Sequence, residues 1–91
     1  MDKLKEYRDQ IDAIDTEVIK LFEQRMDIVK NVSKYKQENN IPTTDNNRES
    51  SMLEKNLFKL KNEEYKKYYH FVLEGFLTAS KAMQNELNKN K

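Results

Sequence analysis

Leu4, Tyr7, Ile11, Ile14, Val18, Leu21, Ile28, Val32 and Tyr35 recur at alternating steps of three and four, and Arg25 is the one interruption of that seam. The beat predicts a single helix over about residues 3–39. At 1.5 Å per residue such a helix is roughly 55 Å long, whereas a compact domain of this size measures only about 30 Å across. Its own chain cannot cover it. Beyond Pro42, Leu53, Leu57 and Leu60 predict a shorter helix over about 46–61. A third, over about 65–88, carries Tyr65, Tyr69, Val72, Phe76, Ala79, Met83 and Leu87 on one face. These two helices suffice for about half of the first. The expected architecture is therefore all-α, an intertwined two-fold dimer in which two long helices run antiparallel and each chain's short helices cover part of the partner. A plain coiled coil, the simpler alternative, leaves the break at Pro42 and the third helix unexplained.

Composition sharpens the picture by exclusion. One Gly and one Pro leave little turn vocabulary, in keeping with the all-α reading. The 91 residues fit one domain, residues 1–91, and 36 % hydrophobic against 36 % charged residues supports only a modest core. With no cysteine and a single histidine, His70, neither a disulfide framework nor a metal site nor a nucleophilic triad is expected. Seventeen basic and sixteen acidic residues leave a net charge of +1, without the basic excess of a nucleic-acid or anionic-membrane surface. No apolar run has the length of a signal peptide or a membrane span, and the expectation is a cytoplasmic protein whose partner is a small molecule or another protein. The tail NELNKNK is expected to fray.

Several polar residues stand in apolar places. Arg25 occupies a seam position, and burying an unpaired guanidinium costs several kcal/mol, so an anion must meet it, either a carboxylate of the protein or a ligand, unless the side chain reaches back to solvent. Lys36 lies only about 20° around the helix from Arg25 and roughly 16 Å along it, so both can close on one anion. On the third helix Ser80 and Gln84, at i and i+4, stand on or beside the apolar stripe. In the segment PTTDNNRES, Asp45 or Asn46 suits an N-cap, and Asp45, Arg48 and Glu49 share the face that carries Met52 and Leu53 toward the core. Capping accounts for Asp45 and Glu49 but not for Arg48, a cation near a helix N-terminus. Arg8 lies about 25 Å before Arg25 and about 100° around the helix from it, out of reach within one chain. Across an antiparallel dimer it can join the others. Four cations, a carboxylate and a glutamine then converge on a cavity for a small, multiply charged anion.

The run YRDQIDAIDTEVIKLFEQRMDIVKNVSKYK, followed by PTTDNNRES and SKAMQ, resembles the all-helical, type II class of chorismate mutases along nearly the whole chain. In that family's pattern an Arg precedes an Ile-Asp-x-Ile/Leu-Asp run, a second Arg closes it and a Lys stands eleven residues on. A Pro-x-x-Asp-x-x-Arg-Glu loop and a Ser-x-x-x-Gln pair on the last helix complete it. Here these are Arg8, Arg25, Lys36, Asp45, Arg48, Glu49, Ser80 and Gln84. The resemblance implies an intertwined homodimer that converts chorismate to prephenate without cofactor or metal, in phenylalanine and tyrosine biosynthesis, at sites each completed by Arg8 of the partner chain. It implies that Arg25 and the partner's Arg8 bind the two substrate carboxylates, and that Lys36 serves a carboxylate and the ether oxygen. Glu49 and the Asp45 backbone would hold the ring hydroxyl, Arg48 the ring-carboxylate end, Ser80 the pocket wall and Gln84 the ether oxygen. Lys36, Gln84, Arg25 and Glu49 are the catalytic set. Thr43 and Thr44 depart from a loop that often carries a bulkier apolar residue, Asn46 and Asn47 make it more polar, and Ser33 takes a place usually small.

An intramolecular [3,3] rearrangement needs no nucleophile, so the missing cysteine and catalytic histidine are no objection to it. It needs a pre-oriented conformer and donors aimed where negative charge develops. Two rivals remain at this stage: an isochorismate pyruvate-lyase of the same fold, and a non-catalytic dimeric helical module in which Arg25 and Gln84 are specificity-setting polar residues.

Overall fold

The computed structural model describes residues 2–89. Helix α1 spans Lys3–Glu38, α2 Asn46–Lys59 and α3 Lys66–Lys89, with a short 3₁₀ turn, Glu63–Tyr65, leading into α3. Each boundary has a local cause. The Asp2 carboxylate accepts from the backbone N–H groups of Leu4 (3.0 Å) and Lys5 (3.3 Å), satisfying two donors that the first turn leaves open. At the other end Asn40 adopts a left-handed φ of 55°. Ile41 N–H then reaches back to the Lys36 carbonyl at 2.8 Å and Asn40 N–H to that of Gln37 at 3.4 Å, the paired bonds of a Schellman cap. Pro42 follows, where a helix cannot resume. Asp45 caps α2, its carboxylate accepting from Arg48 N–H at 3.0 Å. Asn62 does the same for the 3₁₀ turn through Glu64 N–H, at 3.0 Å.

α3 packs on both α1 and α2, which do not approach each other closely. The molecule measures 58 × 27 × 15 Å, its long dimension set by α1, and its radius of gyration is 16.6 Å where a compact chain of this length would have about 12 Å. Burial is correspondingly sparse. Met52 and Leu73 are the buried apolar residues, and Ser33, Ser80 and Gln84 the buried polar ones, among the described residues.

The expected α1 seam faces outward in the single chain, and the expected stripe of the third helix does so in part. Ile11, Ile14, Leu21 and Ile28 on α1 are all more than half exposed. Of the expected third stripe, Tyr65 in the 3₁₀ turn and Val72 on α3 are exposed, Tyr69, Phe76, Ala79, Met83 and Leu87 are half-buried, and Leu73, next to Val72, is buried. The reason is geometric. α3 turns its Leu73, Ser80 and Gln84 side toward its own chain, so its apolar stripe and the α1 seam are left together on the open side. There Val18, Leu21 and Phe22 of α1 and Tyr69, Val72 and Phe76 of α3 flank a groove of about 370 Å³.

The first part of the tail is helical, as the expected bound near residue 88 requires. Asn85 to Lys89 continue α3, because the Asn88 Nδ2 donates to Thr43 Oγ1 at 2.9 Å and Gln37 Nε2 donates to Asn88 Oδ1, tying the last turn to the loop and to α1. Asn90 and Lys91 lie outside the described residues.

Candidate active site

Because α1 and α2 stand apart with α3 between them, a cavity of about 180 Å³ opens where the three meet. Arg25 and Lys36 enter it from α1, Arg48 and Glu49 from α2, Ser80 and Gln84 from α3, and Asp45 from the cap of α2. All seven residues read from the sequence as site residues of this chain thus line one space. Arg8, the eighth, is exposed on the distal half of α1 and is not part of that lining.

Arg25 is held without a carboxylate. Its Nη1 donates to Ser80 Oγ at 2.7 Å, and its guanidinium lies 5.0 Å from the centroid of the Phe76 ring. Ser80 in turn donates to the Phe76 carbonyl at 2.8 Å, which fixes its hydroxyl as an acceptor for the arginine. Burial lowers the Arg25 pKa from its ordinary value, and the nearby positive charge of Arg48 lowers it further, against a smaller opposing effect of Tyr69. The guanidinium remains charged at neutral pH. Lys36 Nζ donates to the Thr43 carbonyl at 2.9 Å, which anchors the lysine to the loop while leaving its charge uncompensated. Among the described residues Arg25, Lys36 and Arg48 form no ion pair; the one salt bridge among the residues lining the cavity joins Glu49 and Lys81. Three cations without ion pairs around one cavity suit an anion.

The other polar groups complete it. Gln84 is 7 % exposed, and its Oε1 is buried without a hydrogen-bond partner among the described residues. A buried acceptor left unpaired in this way, or the Nε2 that takes its place when the amide turns over, suits a ligand contact. Glu49 forms an ion pair with Lys81, a lining residue that the sequence reading did not single out. As one lysine among many, on a helix with a solvent-facing side, Lys81 carries no signal in the sequence that would set it apart. Thr43 does more than its place as a loop variant suggested, since it holds Lys36 through its carbonyl and Asn88 through its hydroxyl. The Asp45 carboxylate is occupied by the α2 cap. Ser33 is only 2 % exposed, which favours a small side chain there.

A family model described as chorismate mutase type II matches residues 7–85. The chain belongs to that family. It is 32 % identical to a bifunctional chorismate mutase/prephenate dehydratase of Buchnera aphidicola over 93 % of its length, which is 24 % of that enzyme. To a T-protein of Haemophilus influenzae it is 39 % identical over 59 % of its length, 14 % of that protein. The chain therefore spans a quarter or less of these curated relatives. No solved structure matches it significantly. For a type II chorismate mutase domain the cavity gathers the expected polar residues within one chain, apart from Arg8.

A lowered pKa means that Arg25 holds its proton less tightly in the folded chain than in the unfolded one, so at neutral pH its charge weakens the fold, a penalty that would lift only above the folded pKa. Arg25→Met is accordingly expected to leave the ligand-free protein as stable as the parent or more stable by about 1 kcal/mol, while abolishing stabilisation by a small dianion. Urea unfolding with and without chorismate reads both effects. A ligand-free variant less stable by more than about 1 kcal/mol would mean that the serine and phenylalanine contacts outweigh the uncompensated charge.

Proposed function

We propose that the chain is a chorismate mutase, rearranging chorismate to prephenate at two shared sites of a homodimer. One observation carries the reading: Arg25, Lys36 and Arg48, none of them ion-paired among the described residues, surround the same cavity as a buried Gln84 whose amide oxygen has no partner. The substrate is a dianion with an ether oxygen that gains negative charge as its C–O bond breaks and a C–C bond forms. No proton is transferred and no group leaves. Catalysis then reduces to gathering the two carboxylates so that the reacting carbons approach, and to placing donors at the ether oxygen. Arg25, pre-set by Ser80 and Phe76, binds one carboxylate; Arg48 holds the ring-carboxylate end. Lys36 and the Gln84 amide, its Nε2 turned inward, address the ether oxygen. Glu49 and the Asp45 backbone receive the ring hydroxyl. An acceleration of about a millionfold corresponds to roughly 8 kcal/mol, within the range of orientation and fixed donors together.

The homodimer completes the site. The open apolar groove between α1 and α3 runs beside Arg25, which is also one of its lining residues. The first turns of a partner's long helix, themselves apolar through Tyr7, Ile11 and Ile14, suit that groove and would bring the partner's Arg8 to the second carboxylate. The prediction is loss of chorismate absorbance with prephenate as product, and no pyruvate from isochorismate. Absence of turnover, or release of pyruvate, overturns the reading.

Shared sites predict complementation. Arg8→Ala and Arg25→Ala chains, each inactive alone, are expected to regain activity when refolded together, because a heterodimer contains one site with both arginines. Mixed dimers without recovery would place Arg8 in its own chain's site.

Gln84 tests the electrostatics. As a neutral donor it does not titrate, so the parent is expected to hold its rate from about pH 6 to 8, where free Asp, Glu, Lys and Arg keep their charges. Gln84→Glu introduces a nearly isosteric carboxyl that repels the developing charge when ionised and donates when protonated. Activity is expected to collapse at neutral pH and return in acid, whereas Gln84→Ala loses about 2 to 4 kcal/mol of transition-state stabilisation at every pH. A Gln84→Glu variant matching the parent at pH 7.5 would remove Gln84 from the ether oxygen.

A further inference from the structure

Among the described residues Lys81 is the one cation lining the cavity that is ion-paired, and its partner is the carboxylate assigned to the ring hydroxyl. The two side chains differ in exposure, 43 % for Lys81 and 18 % for Glu49, so the lysine reaches in from the surface toward a largely covered carboxylate. Glu49 Oε1 is buried and meets the ammonium without the geometry of a hydrogen bond, and among the described residues no side-chain hydrogen bond engages the glutamate elsewhere. On the far side of the pair lies an open groove of about 480 Å³ between α2 and α3. Glu49, Leu77 and Lys81 line both spaces and stand as the wall between them.

Resting on the proposed mutase reading, we infer that Lys81 is a positioning residue that holds the Glu49 carboxylate against the outer wall and away from the cations that must bind substrate. The glutamate shares its cavity with three guanidinium or ammonium groups that have no counter-charge, one of them its chain neighbour Arg48. An unrestrained carboxylate there would pair with one of them, which both removes a substrate ligand and withdraws the acceptor from the ring hydroxyl. An ammonium at the surface end of the side chain supplies the counter-charge without using Arg25, Lys36 or Arg48. It also offsets the repulsion between Glu49 and a bound dianion.

The test is a cycle of four proteins, the parent, Lys81→Met, Glu49→Gln and the double variant, with Lys81→Arg as the conservative replacement. Lys81→Met is expected to lower kcat/KM by roughly 10- to 100-fold, with KM raised as well as kcat lowered, at an unfolding midpoint close to the parent's. Lys81→Arg, which keeps the charge, is expected to recover most of the loss. The discriminating measurement is the Glu49→Gln background. With no carboxylate to misplace, Lys81→Met is expected to change kcat/KM there by less than about twofold. A Lys81→Met variant matching an active parent overturns the inference, and so does an undiminished loss in the Glu49→Gln background, which would mean that Lys81 contacts substrate itself. A parent without turnover overturns the mutase reading and this inference together.

Discussion

Arg25 is fixed against α3 by a hydroxyl and an aromatic ring rather than by a carboxylate, and much of the site follows from that arrangement. A guanidinium at a seam position would ordinarily be neutralised by the packing partner that covers it. Here the covering helix presents Ser80, whose proton is already committed to the Phe76 carbonyl, so the arginine is oriented without being discharged. One turn on, Gln84 is buried with its carbonyl oxygen unpartnered. α3 thus brings a neutral polar strip against a cation, and the interior that results is stable only in the sense that its deficits are small and local. An anionic ligand would remove the first, and would remove the second as well only with the Gln84 amide turned so that its Nε2 faces inward.

The long helix links that chemistry to assembly. A 36-residue helix lies against only part of its own chain, and its own surface pairs, such as Lys5 with Asp9 at 2.8 Å, contribute about half a kcal/mol or less each. Covering the apolar seam in the proposed dimer would favour association strongly, because each fully covered Ile or Leu is worth roughly 1.5 to 3 kcal/mol. Arg25 lies in the same seam and lines both the polar cavity and the apolar groove. In the proposed dimer, covering the seam and completing the anion site are one event, so substrate affinity and subunit affinity are thermodynamically linked.

Much of this was legible in the sequence because it depends on period. Steps of three and four placed the helices to within a few residues, and the polar interruptions of those steps, Arg25, Ser80 and Gln84, were visible because they break an otherwise regular rule. Asp45, Arg48 and Glu49 were legible through the cap and the i, i+3, i+4 relation. What escaped depended on contacts between elements. The rotation of α3, which buries Leu73 and exposes Val72, is decided by packing on two helices at once, and a single stripe does not encode it. Lys81 looks like any surface lysine until Glu49 is opposite it.

The loop shows how a local rule becomes a functional one. Asn40 in the left-handed region and Pro42 end α1, and Asp45 starts α2, which together fix only the ends of a short connection. Its middle is set by Thr43, whose hydroxyl accepts from Asn88 while its carbonyl accepts from Lys36. Asn88 is tied in turn to Gln37, the residue after Lys36. The last turn of α3 is thereby bound to the last turn of α1 through the loop, and Lys36 is positioned from both its chain neighbour and its side-chain terminus. An apolar residue at position 43 could fill the same space, but its side chain could not accept from Asn88, and the carbonyl that orients Lys36 would be placed by packing alone. The polar loop therefore substitutes hydrogen-bonded definition for hydrophobic contact at the one cation that must serve both a carboxylate and the ether oxygen in the proposed reaction.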